Sequence, residues 1–426
     1  MNPILPKKYY IPDVEARVWK DGRIYLYGSC DICANTFYCS HEYRVFSSDG
    51  MLRWKDHGVS FTGYDQGPNH AVESGILYAP DCVYKDGVWY LYYCQPQGEE
   101  GVAVSDNPAG PFEHAQIVVG ANKTRIDPAV FIDDDGSAYY YWAQISARAG
   151  RLRPNMAELI PETVVEGLIT EAEHGFHEGI SMRKRNGVYY LVYTDISRGR
   201  ATSIGYATSD SPLGPFKKQG IIIDNTGCDP GTWNNHGSIQ EYRGQWYVFY
   251  HRSTHNSEYS RRVCVEPIFF DDAGKIAEVE MTTQGVEGPL DSRREMDAAD
   301  ACLLSGKVYI GSLSAESGFY EYLTGISNGD WAAYKYLNFS GKEKGFAITA
   351  ASMTGYGEFF LSLDKPDGEI VAKGQVPSTG GWNAFRVFEV PLIKSVEGVH
   401  ALYLGFSGSP TGRLMDVKNF RFTPRP

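Results

Sequence analysis

Three carboxylates occupy the same position relative to three similar segments of the chain. Asp13, Asp127 and Glu178 each precede a glycine by nine residues. A protonated carboxyl and an ionised carboxylate can together cleave a glycosidic bond, because the first donates a proton to the leaving oxygen while the second activates water. The spacing therefore predicts acid–base chemistry by three groups that come from three copies of one structural unit.

The repeated unit is predicted to be a β-hairpin. It consists of a polar residue, a glycine and a run of aromatic and β-branched residues, the composition that favours strands. The pair Asn186–Gly187 is typical of a type I′ turn, which needs positive φ at both central positions. The unit occurs five times, and its glycines are Gly22, Gly87, Gly136, Gly187 and Gly244.

Repeats at spacings of 65, 49, 51 and 57 residues indicate an all-β fold, a five-bladed β-propeller. Equivalent positions of the blades lie on one ring around the central channel, so the three carboxylates are expected to converge at one mouth of it. A purely structural alternative is that these acids face water at strand ends or are buried beside a base. That alternative explains one acid at this position more readily than three.

The neighbours of the acids suggest their roles. Glu178 is followed by Gly179 and Ile180, and such small, apolar surroundings favour a protonated carboxyl, so Glu178 is assigned as the acid. Asp13 is the candidate base, and Asp127 is a third group that orients or tunes Glu178. In such sites, like charges at close range push the pKa values of the two carboxyl groups apart, and this difference distinguishes the acid from the base.

Composition bounds the class of protein. The chain has 426 residues, of which 42% are hydrophobic and 14% aromatic, with 30 tyrosines, so it is expected to form two nearly all-β domains. The net charge of −12 argues against nucleic acid or an anionic membrane surface as a partner. No apolar run approaches 18 residues, so no membrane span is predicted. The oligomeric state is left open.

The N-terminal segment and the cysteines bear on the compartment. Residues 1–9 contain no apolar stretch of the signal-peptide kind, which predicts a cytoplasmic protein; the alternative is a secreted or periplasmic protein whose signal peptide has been removed. Eight cysteines without a dense framework favour free thiols in a reducing compartment. Cys30 and Cys33, with Cys39 nearby, could bind zinc, but a second pair at ligand spacing is missing.

A second domain is predicted after the propeller. The expected limits are 1–294 for the propeller and 295–426 for a β-sandwich, a jelly-roll, with a charged linker at Asp291–Asp297. Many short strands with turns every ten or so residues are typical of a sandwich. Tryptophans in its loops, such as Trp331 and Trp382, would suit either sugar binding or packing.

The acid motifs resemble those of glycoside hydrolase family 43, five-bladed propeller enzymes that hydrolyse with inversion. The resemblance rests on Pro12–Asp13, Ile126–Asp127–Pro128 and Glu178–Gly179 and spans about residues 1–290. It implies that Asp13 is the base, that Asp127 modulates the pKa of the acid, and that Glu178 is the general acid.

The same resemblance implies further substrate-binding residues. Tyr78, in Tyr78–Ala–Pro–Asp81, resembles the family's aromatic segment, and Arg252 resembles its substrate-side arginine. Trp233 and His236 precede the fifth hairpin, and His236 matches a central histidine that is often linked to a structural calcium or to channel waters. Cys30 stands where relatives often carry histidine. No organic cofactor is expected.

The C-terminal part is similar to carbohydrate-binding module family 6. The similarity rests on Gly329–Asp–Trp331, on Thr379–Gly–Gly–Trp382 and on the terminal Phe–Arg–Phe, and it implies that Trp382 stacks on sugar. Gly325 stands where such modules place an aromatic partner, and Asp416 where they place asparagine. These departures favour a module that is kept for packing on the propeller.

The expected function is exo-hydrolysis of xylo- or arabino-oligosaccharides by a β-xylosidase or an α-L-arabinofuranosidase. Two alternatives are a galactan-directed exo-glycosidase and a non-catalytic sugar-binding propeller, and the second is disfavoured because binding alone needs no acid trio. Retaining fructan-cleaving propellers are disfavoured because their Asn-Asp-Pro-Asn motif is absent at Asp13.

Overall fold

The computed structural model describes residues 1–96, 98, 100–121, 126–315 and 318–424. Within these ranges the secondary structure is almost entirely β. One short α-helix, α1 (Glu171–His174), and three 3-10 turns, at Pro161–Thr163, Gly285–Glu287 and Ala298–Asp300, complete it. None of the described helices is long and apolar enough to cross a membrane.

Nineteen strands of the described residues form five antiparallel sheets, and the strands of each sheet follow one another in chain order. The first two sheets contain β1 (Glu15–Val18), β2 (Ile24–Gly28), β3 (Glu42–Ser48), β4 (Lys55–Thr62), and β5 (Asp81–Lys85), β6 (Val88–Tyr93), β7 (Gly101–Ser105), β8 (Glu113–Ile117). The third and fourth contain β9 (Ala129–Ile132), β10 (Ala138–Trp142), β11 (Ser146–Arg151), β12 (Val165–Thr170), and β13 (Phe176–Arg185), β14 (Val188–Asp195), β15 (Ser203–Ser209), β16 (Lys217–Asp224). The fifth contains β17 (Ser238–Tyr242), β18 (Gln245–Thr254) and β19 (Ser257–Ile268).

The first strands of the five sheets close a ring. The innermost strands touch in cyclic order, β1 with β5, β5 with β9, β9 with β13, β13 with β17 and β17 with β1. The predicted five-bladed propeller is therefore confirmed. Asn186 and Gly187 both have positive φ, 50° and 81°, as the type I′ turn requires.

The N-terminal segment lies along the outer strand of the three-stranded fifth blade. The Ile4 N–H donates to the Val263 carbonyl at 3.2 Å. The Asn2 side chain donates to the Val265 carbonyl at 3.0 Å and accepts from the Val265 N–H at 2.9 Å. The start of the chain therefore satisfies backbone groups on the outer edge of β19.

The remaining strands form a β-sandwich, which confirms the predicted second fold. One sheet has the order β20 (Leu290–Asp291), β25 (Trp331–Ser340), β30 (Glu397–Gly408), β27 (Gly357–Leu363), β28 (Glu369–Val376), with β22 (Leu303–Leu304) also on β25. The other has the order β23 (Tyr309–Ala315), β24 (Gly318–Thr324), β31 (Asp416–Thr423), β26 (Gly345–Ala351), β29 (Arg386–Pro391), with β21 (Met296–Asp297) also on β31.

The segment predicted as a charged linker is part of the sandwich, so that prediction was wrong. Leu290–Asp291 pairs with β25, and Met296–Asp297 pairs with β31. The charges on Asp291–Asp297 point to solvent while the backbone bonds into the two sheets. The sandwich thus begins before residue 295, at Leu290. Apart from this start, the domain limits 1–294 and 295–426 stay a prediction.

The two domains share a buried interface. Apolar residues of the sandwich, Cys302, Ala333, Ala401 and Tyr403, pack in one cluster with propeller residues that include Ile222 and Ile268. Beside this cluster, the Arg262 guanidinium of β19 pairs with both carboxylate oxygens of Glu321, at 2.9 and 2.6 Å. All eight cysteines are free.

Glu321→Gln is expected to lower the free energy of unfolding by about 3–5 kcal/mol, because it leaves the buried Arg262 charge without its carboxylate. Urea denaturation measures this loss. Asp291→Asn is the control, since Asp291 pairs with Arg293 and both side chains are about half exposed; its effect should stay below about 1 kcal/mol. Equal small losses in the two variants would contradict a stabilising role of the Arg262–Glu321 pair.

Candidate active site

The structure brings Asp13, Asp127 and Glu178 together in one pocket at a mouth of the channel. The pocket has a volume of about 350 Å³ and is also lined by Tyr78 and His236. Asp13 and Asp127 lie just before the innermost strands β1 and β9, and Glu178 is the third residue of the innermost strand β13. The common register along the sequence thus becomes a common height in the channel.

The backbone that carries the two aspartates is left-handed. Asp13 and Asp127 have φ of 55° and 60°, a conformation that aspartate tolerates better than most residues. Gly179 also has positive φ, and a Cβ on it would come within 2.8 Å of both the His236 ring and the Thr194 hydroxyl. A glycine is therefore required directly after Glu178.

Asp13 is buried and has several hydrogen-bonding and charged neighbours. The Ser29 hydroxyl donates to its Oδ2 at 2.5 Å, and an Arg261 Nη1–H group donates to its Oδ1 at 2.9 Å. The ring Nδ1 atoms of His236 and His251 lie 3.7 and 3.6 Å from the same Oδ1. The carboxylate is thus surrounded by groups that favour its charged form.

These neighbours set the protonation of Asp13. Burial by itself raises the pKa of this carboxyl, but the influence of Arg261, His236 and His251 outweighs burial and holds the pKa below its usual value. Burial, followed by the charge of Arg261, lowers the pKa of His251 to about 3, so His251 is neutral near pH 7. Arg261 stays charged at neutral pH, and Asp13, with its lowered pKa, is ionised as a base must be.

Asp127 has the opposite environment. Its Oδ2 accepts the Gly179 N–H at 3.0 Å, and no cationic side chain of the described residues forms an ion pair with it other than His236, at 3.9 Å. Burial, followed by the charges of Glu178 and Asp13, raises the pKa of Asp127 well above its usual value. Between the lowered pKa of Asp13 and the raised pKa of Asp127, Asp13 is therefore ionised while Asp127 still carries a proton.

Two amides hold Glu178, and the sequence did not reveal either. Gln144 Nε2 donates to one carboxylate oxygen at 3.1 Å, and Asn234 Nδ2 donates to the other at 3.2 Å. Gln144 lies between Ala143 and Ile145, whose φ values are 148° and 70°. A left-handed β-branched residue is strained, and this strain accompanies the placement of the Gln144 amide in the pocket.

The arginine of the pocket is Arg261, and the prediction of Arg252 was wrong. The Arg252 guanidinium donates to the Tyr250 hydroxyl at 2.6 Å and to the Thr282 carbonyl at 2.7 Å, and it lies outside the pocket lining. Arg252 is opposite Arg262 in the β18–β19 ladder. Neighbouring residues of a strand face opposite sides, so Arg261 faces the channel when Arg262 and Arg252 face away. The adjacent arginines of β19 were the available signal.

Of the other residues predicted to bind substrate, some line the pocket and one does not. Tyr78 and His236 line the pocket, together with Tyr38, which the sequence did not point to. Trp233 is 42% exposed and precedes the lining residue Asn234, but it is not itself part of the pocket lining.

The residues near His236 do not fit a protein-held metal. Its Nδ1 faces Asp13 and Asp127, but calcium takes six to eight oxygen ligands. In the described part of the chain, no group of three His, Cys, Asp or Glu side chains could hold a metal ion, and this includes the cysteines considered for zinc.

Trp382, the predicted stacking residue of the sandwich, has its ring covered on one face. The Arg413 guanidinium lies 4.3 Å from the ring centroid. The same guanidinium pairs with both carboxylate oxygens of Asp416, which is fully buried. The Arg413 side chain is 33% exposed, but its two-pronged contact with this buried carboxylate holds the guanidinium on the indole face where a sugar ring would stack.

Two family models match the chain. The model described as glycosyl hydrolases family 43 matches residues 1–276, and the model described as carbohydrate binding module (family 6) matches residues 305–424. A xylosidase/arabinosidase of Thermoclostridium stercorarium is 31% identical, with 97% of each chain covered. An arabinoxylan arabinofuranohydrolase of Bacillus subtilis (strain 168) is 29% identical, with 95% of this chain and 89% of the relative covered.

Solved structures agree with these matches. The structure of a glycoside hydrolase family 43 arabinoxylan arabinofuranohydrolase from Bacillus subtilis in complex with cellotetraose has a TM-score of 0.57 and 27% identity, and covers 100% of this chain and 97% of that one. A family 43 β-xylosidase/α-arabinofuranosidase from a compost microbial metagenome, in complex with xylotriose and in a calcium-free form, has a TM-score of 0.57 and 31% identity, and covers 66% and 97%.

Asp13→Asn, Asp127→Asn and Glu178→Gln are each expected to lose on the order of 10²–10⁴ in turnover while they fold normally, as for acid–base groups. With an activated nitrophenol leaving group, the Glu178 variant should lose less than the Asp13 variant, because that leaving group needs little protonation. Steady-state rates on an unactivated oligosaccharide and on a nitrophenyl glycoside measure both effects. A variant with near-wild-type turnover on the oligosaccharide would refute the role of its residue.

Trp382→Ala is expected to leave binding to xylan and arabinan unchanged, because Arg413 already covers one face of the indole. Affinity electrophoresis of the full chain in gels with and without each polysaccharide measures binding. Glu178→Gln is the common background, so that the gel is not degraded. Retardation that Trp382→Ala abolishes would show that sugar displaces Arg413 and that the indole is a binding surface.

Proposed function

The chain belongs to glycosyl hydrolases family 43, and on this premise we propose that it releases single terminal pentose units, xylose or arabinose, from xylan- and arabinan-derived oligosaccharides. The observation that carries the proposal is the unequal environment of two buried carboxylates in one small pocket. Asp13 is paired with an arginine, whereas Asp127 faces Glu178 without one.

The proposed mechanism uses only side chains of this pocket. Asp13 takes a proton from water as the water attacks the anomeric carbon. Glu178 donates a proton to the leaving oxygen, and the amides of Gln144 and Asn234 hold its carboxyl in place. Asp127, whose pKa is raised by burial and by the charges of Glu178 and Asp13, accepts the Gly179 N–H beside the acid and so holds the backbone next to Glu178. The base and the acid come from blades one and four, and we expect them to stand about 6.5–9.5 Å apart, the separation that leaves room for a water in a single displacement with inversion.

The pocket dimensions support release of one sugar at a time. A volume of about 350 Å³ lies at the lower end of ligand-site sizes and suits a monosaccharide rather than a long chain segment. Tyr38 and Tyr78 provide aromatic walls, against which sugar rings pack well. The relatives that cover most of this chain carry names with xylosidase, arabinosidase or arabinofuranohydrolase activity, which supports pentose as the released unit.

Calcium is outside the proposed mechanism. One solved relative is described as a calcium-free form. A calcium beside His236 in this chain stays a proposal from family resemblance, and the side chains around that histidine do not supply its ligands.

A panel of nitrophenyl β-xyloside, α-L-arabinofuranoside and β-galactoside tests the proposal, with proton NMR of the first-formed sugar. We expect hydrolysis of at least one of the two pentosides and the inverted anomer as the first product, α-xylose from the β-xyloside. Glu178→Gln with an unactivated oligosaccharide is the negative control.

Exclusive hydrolysis of the galactoside would favour the galactan-directed alternative. No hydrolysis together with tight binding of an oligosaccharide would favour a sugar-binding propeller. Initial β-xylose, or a trapped glycosyl-enzyme, would refute the assignment of Asp13 as base, since a nucleophile and an acid stand about 5–5.5 Å apart and leave no room for the water.

A further inference from the structure

A fourth buried carboxylate, Asp31, stands behind the pocket and has no role in the mechanism so far. It lies in the segment between β2 and β3, and its side chain is fully buried. Its two oxygens accept four hydrogen bonds, from Arg261 Nε at 2.9 Å, from Arg261 Nη2 at 2.9 Å, from the Arg261 backbone N–H at 3.0 Å and from the Cys39 N–H at 3.1 Å.

These bonds fix the orientation of the Arg261 guanidinium. The edge formed by Nε and Nη2 faces Asp31, and the Tyr38 ring lies against the flat face, 4.8 Å from the guanidinium carbon. Nη1 is the nitrogen that reaches Asp13, where it donates to Oδ1 at 2.9 Å, while Nη2 also donates to the Cys39 Sγ at 3.6 Å. Arg261 is 2% exposed, so its charge is almost entirely removed from solvent.

We infer that Asp31 is a positioning residue of the active site, which acts on Asp13 through Arg261. By binding the bidentate edge of the guanidinium, Asp31 leaves Asp13 a contact with a single nitrogen. The inference rests on the proposed function only in that Asp13 is taken as the base.

The physical reason is the preference of arginine for two-pronged carboxylate contacts. A buried guanidinium without Asp31 would turn its fork to the nearest other carboxylate, which is Asp13. Asp13 would then commit lone pairs of both oxygens to Arg261, although Ser29 already bonds Oδ2. A carboxylate has about four lone-pair sites, and fewer would remain for the attacking water.

Other charged groups near Asp13 do not replace Asp31. The groups that face Asp13 are Arg261 from β19, His251 from β18, His236 from the segment before β17, and Asp127 from the segment before β9. His236 also lies 3.9 Å from Asp127, but Arg261 alone of these groups donates hydrogen bonds to a carboxylate outside the pocket, and that carboxylate is Asp31.

The neighbouring residue on β19 provides a matched comparison. Arg262 is also buried and is also bound by two oxygens of one buried carboxylate, Glu321. It faces the sandwich, and its partner has no contact with the pocket. Asp31→Asn and Glu321→Gln therefore remove the same kind of charge from adjacent arginines, one toward the active site and one away from it.

The experiment measures kcat and KM of both variants on whichever nitrophenyl glycoside the wild-type protein hydrolyses, with the folded fraction checked by circular dichroism. Asp31→Asn is expected to lower kcat about 10²-fold, toward the loss of a general base, with KM within about threefold. Glu321→Gln should keep both constants at temperatures where it is folded. Asp31→Glu retains the charge and should keep more of kcat than Asp31→Asn.

Three outcomes overturn the inference: wild-type kcat in Asp31→Asn, a loss in KM alone, or an Asp31→Glu variant no better than Asp31→Asn. A second readout needs no activity. The NMR signal of the Arg261 Nε–H group, assigned by its loss in Arg261→Lys, should shift in Asp31→Asn and not in Glu321→Gln. An unchanged signal refutes the inference whatever the substrate, whereas a wild-type protein inactive on every glycoside refutes the proposed function and leaves the signal test standing.

Discussion

The structure depends on the pairing of charges that are buried in the channel of the propeller. Burying an unpaired charge is costly, so each cation of the channel lies against a carboxylate of another blade. The pairs are Arg17 with Asp81, Arg183 with Glu15, and Arg261 with Asp13. Because each pair joins two blades, the same contacts that satisfy the charges also fix how the blades are placed around the pocket.

The chemistry follows from the two acids of the pocket, Asp127 and Glu178, that have no arginine or lysine partner among the described residues. Asp127 has no arginine or lysine partner among the described residues, and its nearest titratable neighbours include Glu178. Its carboxyl therefore retains a proton under conditions where Asp13 is ionised. Two aspartates with similar backbone conformation thus differ in protonation because one lies beside Arg261 and the other lies beside a second acid.

A single strand, β19, connects the active site with the second domain. Adjacent residues of a strand face opposite sides, and here Arg261 faces Asp13 while Arg262 faces Glu321 of the sandwich. The N-terminal segment also bonds to β19. The sandwich therefore belongs to the same packed structure as the pocket wall. In this domain, Arg413 covers one face of the Trp382 indole.

The sequence by itself determined the repeated hairpins, the five blades and the three acids of the pocket. Turn residues, strand composition and a constant spacing of nine residues are local properties, and a propeller converts equal positions along the chain into equal positions around the channel. For the same reason Tyr78 and His236, on or beside that register in the other two blades, also reach the pocket.

Only the tertiary structure decided which other side chains join these acids. Arg261 rather than Arg252 faces Asp13 because of the register in which β18 and β19 pair. A shift of one residue in this register would turn each side chain to the opposite face of the sheet. Gln144, Asn234 and Asp31 act through partners that are 34, 56 and 230 residues away in the chain. The docking of Leu290–Asp291 and the cover on Trp382 likewise depend on contacts between separate segments. Spacing along one segment carries no information about such contacts, because they form only when the blades and the sandwich pack.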